Sequence, residues 1–557
     1  MIIQPIVNIP EICSQKGIRY AVISPGSRSA HVTISFARHP EIQKVVIPDE
    51  RSAAYIALGL AQRSNAPVAL ICTSGTATIN FYPAIAEAYY QNVPLLVLTA
   101  DRPAEWIDKN DGQTIRQTNL YQNHIKKSFT FPESFGSEDA IKSAALIVHE
   151  AILLAKKSPE GPVHINVPIK EPFYPLNDEE MEFGKGLPEI ADEPDATGEV
   201  SGSEGSVFDS LKDKKIVIVA GQRHADRDTI SLLSKIAKEK QIPVFSDVIS
   251  NAFSSPGVLR YHDTFIHSGL TKPDILITFG RSIISKKLKL FLRKHSNLVH
   301  WHISENDYPA DTFLSLAKVL EGPVNRFLQM LFSASWKGNR DFFEEYVKSD
   351  GAAEKVLSNF LDNMEFGEFK AVNEILRRIP GESILHLANS MPVRYANIIN
   401  TRKNIEVFAN RGTSGIDGCI STAVGHSLIT GKLNIVLTGD MAFFYDRNAL
   451  WHNFPLPNLR IIILNNHGGG IFRLIDGPSQ QPELEEYFET RQKLNAKNTA
   501  SDFGMDYYLC TSEMELDEVL KNFFHPTGNG KILEIETNKI VNQKVFTHYK
   551  SLTEHGT

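Results

Sequence analysis

Cysteine is scarce and scattered in this 557-residue chain. Cys13, Cys72, Cys419 and Cys510 form no CxxC or similar pair, which leaves neither a zinc ribbon nor a disulfide scaffold. Dispersed thiols fit a reducing compartment, so a cytoplasmic protein is expected. Long apolar runs are also missing: stretches such as 93–98 and 461–464 fall far short of the ~20 residues that span a bilayer. The start, MIIQPIVNIPEIC, has no basic n-region, sustained apolar core or small-residue cleavage site, and does not read as a secretory signal. Positive charge is not in excess. Lys and Arg number 58 against 65 Asp and Glu, a formal charge of -7, which argues against a dedicated nucleic-acid binder. No GxxxxGK[ST] occurs, and no GxGxxG opens a helix after the first strand of any block, which weakens P-loop and nicotinamide readings.

What is present repeats. Short β-branched runs are followed by Gly-rich turns and then helix-length segments. Strands are expected at 20–24, 44–47, 68–72, 94–99 and 163–167, then at 215–220, 243–246, 274–279 and 298–303. A third set falls at 383–387, 405–409, 434–438, 460–464 and 531–535. Apolar strands separated by helices imply parallel sheets covered on both faces. Residues 176–206 are acidic and rich in Gly, Ser and Pro, a linker by composition. A second seam is expected at 336–360, where charged and small residues interrupt the pattern. The expected fold class is α/β: three consecutive doubly wound parallel-sheet domains, at 1–175, 207–335 and 361–557. Ligands in such sheets sit beyond the carboxyl ends of the strands, so chemistry is sought in the strand-to-helix turns.

Those turns carry SPGSRS (24–29), PDERSAAYIALGLA (48–61), CTSGTATIN (72–80) and TADRP (99–103). Taken singly, each is ordinary turn and N-cap chemistry. Glu50 opens an expected helix. It is either a complement to the helix dipole or a carboxyl in an apolar cleft, where desolvation keeps it protonated. In the third block, Asp440 follows one strand and Asn466 follows the next, 26 residues on, with His467 and three glycines after it. One strand-helix-strand unit brings Asp440 and Asn466 to the same sheet edge. Their oxygens, with a nearby carbonyl, make a hard-oxygen site suited to Mg2+. The bland alternative is Asp440 as an N-cap and NNHGGG as a flexible turn. His31, His386, His426 and His467 show no HExxH or other ligand spacing, so zinc is not expected.

With these residues the chain resembles the thiamine-diphosphate-dependent enzymes of the pyruvate oxidase and decarboxylase type. A GD followed about 25 residues later by NN is that family's cofactor signature, and the early Glu is its cofactor-activating acid. The signature usually reads GDG, whereas Met441 stands here. The side chain at 441 is not an expected ligand, so the metal expectation stands. The resemblance implies thiamine diphosphate with Mg2+ (or Mn2+) held by Asp440, Asn466 and the carbonyl of Gly468. It implies further cofactor contacts from Glu50, Ser74, Gly75, Ser414, Ile416, Gly439, Met441, Gly469, Ile471 and Phe472. Ile416 is the apolar residue expected to hold the cofactor bent.

Within the family, those motifs together with GQTIRQ (112–117), ANSMPVR (388–394), NRGTSGIDG (410–418) and NNHGGGIF (465–472) are similar to the members that serve menaquinone biosynthesis. These decarboxylate 2-oxoglutarate and add the succinyl fragment to isochorismate. The likeness implies catalytic roles for Glu50, Ser27, Arg28 and Gln113. It places Ser390 and Arg394 at the far carboxylate of the succinyl group, and Arg28, Arg102, Gln113 and Arg411 at isochorismate. The family's central basic pair falls at Lys286 and Lys287. Both substrates are dianions, which suits planar guanidinium forks in a chain of negative overall charge. The likeness also implies a homo-oligomer, dimer at least, with tetramer open. Two other readings stay open. A pyruvate-specific or acetolactate-synthase-like sister would not need Arg394 as well as Arg28 and Arg102. A non-catalytic homologue would have no need of Glu50. Residues 473–488, with few buried-looking positions, are expected to be mobile without ligand and to close over the site.

Overall fold

The computed structural model describes residues 2–133, 138–171, 174, 179–188, 208–305, 310–401, 403–526 and 528–554. The first strands are β1 (Tyr20–Ile23), β2 (Gln43–Val46), β3 (Val68–Cys72), β4 (Leu95–Asp101), β5 (Ser128–Thr130) and β6 (Val163–Pro168). They form one sheet in the order β2-β1-β3-β4-β6-β5. Next come β7 (Ile216–Ala220), β8 (Val244–Ser246), β9 (Ile275–Phe279), β10 (Val299–Ser304) and β11 (Leu316–Glu321), in the order β11-β10-β9-β7-β8. The third sheet uses β12 (Ile384–Leu387), β13 (Glu406–Phe408), β14 (Asn434–Gly439), β15 (Leu459–Asn465), β16 (Asp506–Cys510) and β17 (Lys531–Glu536), in the order β13-β12-β14-β15-β17-β16. All these strand pairs are parallel. Every residue of β3, β4, β7, β9 and β15 is buried, as sheets covered on both faces require.

Strand order fixes where ligands can sit. In the first sheet the chain leaves β1 for β2 on one side and returns to β3 on the other. The turns after β1 and β3 therefore flank a topological switch point, and in the third sheet the turns after β12 and β14 do the same.

The chain forms two compact units. One holds the first sheet together with residues 410–431 and 446–456, and the other holds the second and third sheets. Within the first unit, the Glu50–Ser64 helix lies against the Cys419–Ile429 helix. The approach is close: a β-carbon on Gly59 would fall 2.1 Å from the Thr422 carbonyl oxygen, and one on Gly425 2.3 Å from that of Ile56.

Both expected linkers look different in the structure. Of 176–206, residues 179–188 are described and the rest lies outside the described residues. This piece folds onto the first unit, because Gln4 and Asn8 side chains donate to the carbonyls of Glu182 and Lys185, at 2.7 and 2.9 Å. Phe183 meets His39 edge-on. The stretch 336–360 is mostly helix, Arg340–Asn363, started by the Asn339 side chain on the Phe342 amide at 3.0 Å. Its charges hide an apolar face of Phe342, Tyr346, Ala353, Leu357 and Phe360, all buried. The four cysteines are free and buried. Among the described residues no helix is long and apolar enough to cross a membrane.

Candidate active site

β14 and β15 run in parallel with Gly439 opposite Leu464, so neighbouring strands deliver Asp440 and Asn466 to one edge. Asp440 is 2% exposed. Its carboxylate accepts from Gln492 Nε2 at 2.7 Å and from the backbone N–H groups of Met441 and Gly468. Burial pushes its pKa up to about 6, against the pull of those hydrogen bonds and of His467. Residue 441 acts here through its backbone, which explains why a Met in place of the usual Gly leaves the carboxylate supported. Asn466 donates through Nδ2 to Glu368 Oε1 at 2.5 Å, so the amide oxygen is the end available to a cation. The glycine turn is tightly packed from behind. A β-carbon on Gly468 would lie 2.7 Å from the Glu489 carbonyl oxygen, which also accepts the Gly469 N–H at 2.7 Å. A buried carboxylate, an amide oxygen and a main-chain carbonyl form a hard, negatively charged donor set, and these residues fit Mg2+ or Mn2+. Ile471 and Phe472 follow the turn, Phe472 with its ring 5.8 Å from that of Phe488.

Across the switch point, Ser390 ends the turn after β12 at φ 75, ψ -130, a conformation nearly confined to glycine. Arg394, exposed one helical turn later, donates to the Ser390 carbonyl. Lys287, expected among the substrate-binding residues, lies against main chain. Its ammonium donates to the backbone carbonyls of Asp263 and Thr553, at 3.2 and 3.0 Å, and so anchors the last helix within the second unit. Residues 473–488 begin and end at an ion-paired anchor. Arg473 meets Glu489 at 2.6 Å and Glu485 at 2.9 Å, and Lys539 reaches both acids.

In the first unit, Glu50 is the first residue of its helix, but the N-cap is Asp49, whose carboxylate accepts the Arg51 and Ser52 N–H groups at 2.9 and 3.2 Å. Glu50 is therefore not spent on capping. Nearby strand ends carry buried hydroxyls, Ser24, Thr73 and Ser74, with no hydrogen-bond partner among the described residues. Such groups in a turn at a switch point fit a polar ligand. Gly75, at φ 80, donates its N–H to Gln117 Oε1 at 2.9 Å. Gln117 in turn donates to the Ala100 carbonyl and to Asn166 Oδ1, at 3.1 and 2.9 Å, tying three strand ends together. The sequence motif drew attention to Gln113, which is exposed at φ 54, whereas the buried glutamine of GQTIRQ is Gln117.

Arg28 is 7% exposed and donates to the Ile169 carbonyl at 2.9 Å. Burial, and next the charge of Arg102, push its pKa down. Arg102 bonds Asp111 Oδ2 at 2.7 Å and the Gly112 carbonyl at 2.5 Å. With Trp106, Lys170, Asp111 and Glu171, the two arginines line a cavity of about 320 Å³. Ser27 is exposed in the same turn as Arg28. Trp106 and Lys170 stand outside every motif and carry no sequence signal.

The turn 410–418 is gripped from two sides. The Tyr55 hydroxyl donates to Asp417 at 2.6 Å, and the fully buried Glu87 accepts the Gly412 and Thr413 N–H groups at 2.8 and 2.7 Å. Neither Tyr55 nor Glu87 was legible as a site residue, since each partner lies more than three hundred residues away in sequence. Arg411 is half-buried in this turn, Ser414 is exposed at φ 62, and Ile416 is held with 37% of its surface exposed. Three of the histidines are packing residues: His31 accepts the Ile3 N–H, His386 pairs with Asn434 and stacks on Phe408, and His426 meets Gln62, whereas His467 is half-buried and meets Glu536. Among the described residues no three His, Cys, Asp or Glu side chains converge as a metal site.

Comparison with known proteins gives this geometry a lineage. Residues 8–125 match the N-terminal TPP-binding domain of thiamine pyrophosphate enzymes, 200–387 their middle domain and 390–533 their C-terminal TPP-binding domain. The chain is 44% identical to the 2-succinyl-5-enolpyruvyl-6-hydroxy-3-cyclohexene-1-carboxylate synthase of Cytophaga hutchinsonii over 99% of both chains. It is 38% identical to that of Christiangramia forsetii over 97% of both, and 35% identical to that of Porphyromonas gingivalis over 97% of this chain and 95% of the other. Three parallel sheets, three matching domain models and full-length likeness agree: the chain belongs to the 2-succinyl-5-enolpyruvyl-6-hydroxy-3-cyclohexene-1-carboxylate synthase family of thiamine-diphosphate enzymes.

Proposed function

We propose that this chain decarboxylates 2-oxoglutarate and adds the resulting succinyl fragment to isochorismate, with release of CO2, as a cytoplasmic enzyme of menaquinone biosynthesis. The relatives' names support the product. The observation that carries the substrate class is Arg28 beside Arg102 at a walled cavity, two guanidiniums close enough for one to lower the other's pKa. Such a pair suits a multiply charged carboxylate substrate and is superfluous for pyruvate.

Bound thiamine diphosphate supplies the electron sink for the carbanion released when the 2-oxo acid loses CO2. Asp440, the Asn466 side-chain oxygen and the Gly468 carbonyl would hold Mg2+ or Mn2+, whose charge would offset that of the diphosphate. Glu50 would hydrogen-bond the aminopyrimidine and hold a proton there. Ile416 would be an apolar contact of the cofactor, and Ser74, Gly75, Ser414, Gly439, Met441, Gly469, Ile471 and Phe472 would complete its surroundings. Ser390 and Arg394 hold the distal carboxylate of the oxo acid. Ser27, Arg28, Arg102, Gln113 and Arg411 orient isochorismate. The functional unit is a homodimer at least, with Glu50 of one subunit serving the metal cluster of another.

Purified protein with thiamine diphosphate, Mg2+ and 2-oxoglutarate, with and without isochorismate, tests the reading by following CO2 and adduct mass. Adduct that requires both substrates is the expected result. Preferential CO2 release from pyruvate would replace it with a sister activity.

A further inference from the structure

Behind the Asp440–Asn466 cluster lies a carboxylate that no motif announced. Glu368 opens the Glu368–Arg378 helix and is 3% exposed. Its Oε1 accepts from Asn466 Nδ2 at 2.5 Å, across 98 residues of sequence. The buried Tyr395 hydroxyl bonds the same carboxylate, and the Glu368 backbone N–H donates to Asn542 Oδ1 at 3.0 Å. Asn542 is itself fixed by donating to Thr537 Oγ1 at 3.0 Å. The acid is thus held at its main chain and at its side chain; toward the cluster it hydrogen-bonds the Asn466 amide, and it also feels the charge of Asp440.

An Asn side chain has two ends of nearly equal shape, a donor and an acceptor, and what binds one end decides which faces a cation. A carboxylate only accepts, so it selects the NH2 end and commits the oxygen to the opposite side. We infer that Glu368 is the positioning residue of the metal site: it clamps Asn466 in the orientation that ligates the cation, and Tyr395 holds the clamp. This rests on the reading of Asp440 and Asn466 as metal ligands. Groups that orient metal ligands from behind typically contribute about 10–100-fold in metal affinity.

Titration of the full-length protein with Mn2+ in the presence of thiamine diphosphate, read as the loss of the free-ion electron paramagnetic resonance signal, tests this without any turnover. Glu368→Ala is expected to weaken Mn2+ binding about 10–100-fold, and Glu368→Gln, whose carbonyl still accepts from the amide, by less than about 5-fold. Glu368→Ala placed on Asn466→Ala should cost far less than Glu368→Ala alone, because its hydrogen bond to a metal ligand runs through that amide. A purely structural Glu368 would instead give additive losses and overturn the inference. Should Glu368→Ala fail to fold, a polarity exchange decides. Asn466→Asp faces two carboxylates together and should bind Mn2+ more than about 10-fold more weakly, and adding Glu368→Gln should restore binding, since the new acid then accepts from the glutamine amide. No restoration would overturn the clamp. Asp440→Ala separates the two levels. If it abolishes Mn2+ binding while Glu368→Ala stays within twofold of wild type, the clamp is wrong and the metal site stands. If Asp440→Ala binds as wild type does, both fall.

Discussion

At the scale of single residues, Asp446 shows how a buried charge can organise a turn at a cost. Its carboxylate accepts the Ile420 and Ser421 N–H groups, both at 2.8 Å, and the Ser421 hydroxyl at 2.7 Å. Burial nevertheless outweighs these bonds and the Arg51 charge, and pushes its pKa up to about 6. A carboxyl whose folded pKa lies above its unfolded value of about 3.9 holds its proton more tightly when folded, so its contribution to stability falls as pH rises between the two. Asp446→Asn keeps one oxygen to accept the two N–H groups, turns an NH2 donor toward the Ser421 hydroxyl, which can accept from it, and removes the charge. Relative to wild type, the variant should gain stability from about pH 4 to about pH 6 and then hold a constant margin, measured by urea midpoints across that range. Parallel profiles would refute the assignment. For function, Arg394→Ala should cost about 10–100-fold in kcat/KM for 2-oxoglutarate, the worth of a charged hydrogen bond, and leave thiamine diphosphate affinity within twofold. Equal losses in both would remove Arg394 from the substrate. The strand-end positions of Asp440 and Asn466 were legible because each directly follows an apolar strand, and that of Glu50 because it opens the helix after β2. Glu368, Gln117 and Glu87 were not, because their partners lie far off in sequence and nothing local marks a buried acceptor.

At the scale of elements, the strands that pattern reading missed share one position, although the edge strands β2, β8 and β13 were found. β5, β11 and β16, all unforeseen, are each the edge strand of a sheet. With one neighbour and partial exposure, they need no continuous apolar run, and sequences such as LAKVLE and DYYLC dilute the signal. The Arg340–Asn363 helix escaped for a related reason, since its buried face is one stripe among many charges. Helix packing gives the sharpest prediction at this level. The Glu50–Ser64 helix meets its partner through Gly59 and Gly425, where an added methyl strikes backbone oxygen and no side chain can yield. Gly425→Ala should destabilise by about 1–3 kcal/mol through overpacking, seen as a lower urea midpoint. Because Glu50 heads that helix, kcat should fall with it. An unchanged midpoint would mean that the helices slide freely.

At the scale of the whole molecule, the proposed division of the site between subunits has a direct test. Glu50→Gln and Asp440→Ala should each be inactive alone. Mixed, unfolded and reassembled in equal amounts, they should recover about a quarter of wild-type activity, because half the dimers are mixed and each carries one intact site. No recovery would mean that both halves come from one chain. The three-sheet layout was legible from repeating apolar runs, whereas the membership of residues 410–431 was not: they lie between strands of the third sheet yet belong to the first unit. That displacement has a consequence during synthesis. The Glu50–Ser64 helix leaves the ribosome long before Cys419–Ile429 exists, and at about 5–20 residues per second the wait is roughly 20–70 s. Throughout it, the groove around Gly59 has no cover of its own, which makes the nascent chain a natural client for a chaperone until translation is more than three quarters complete.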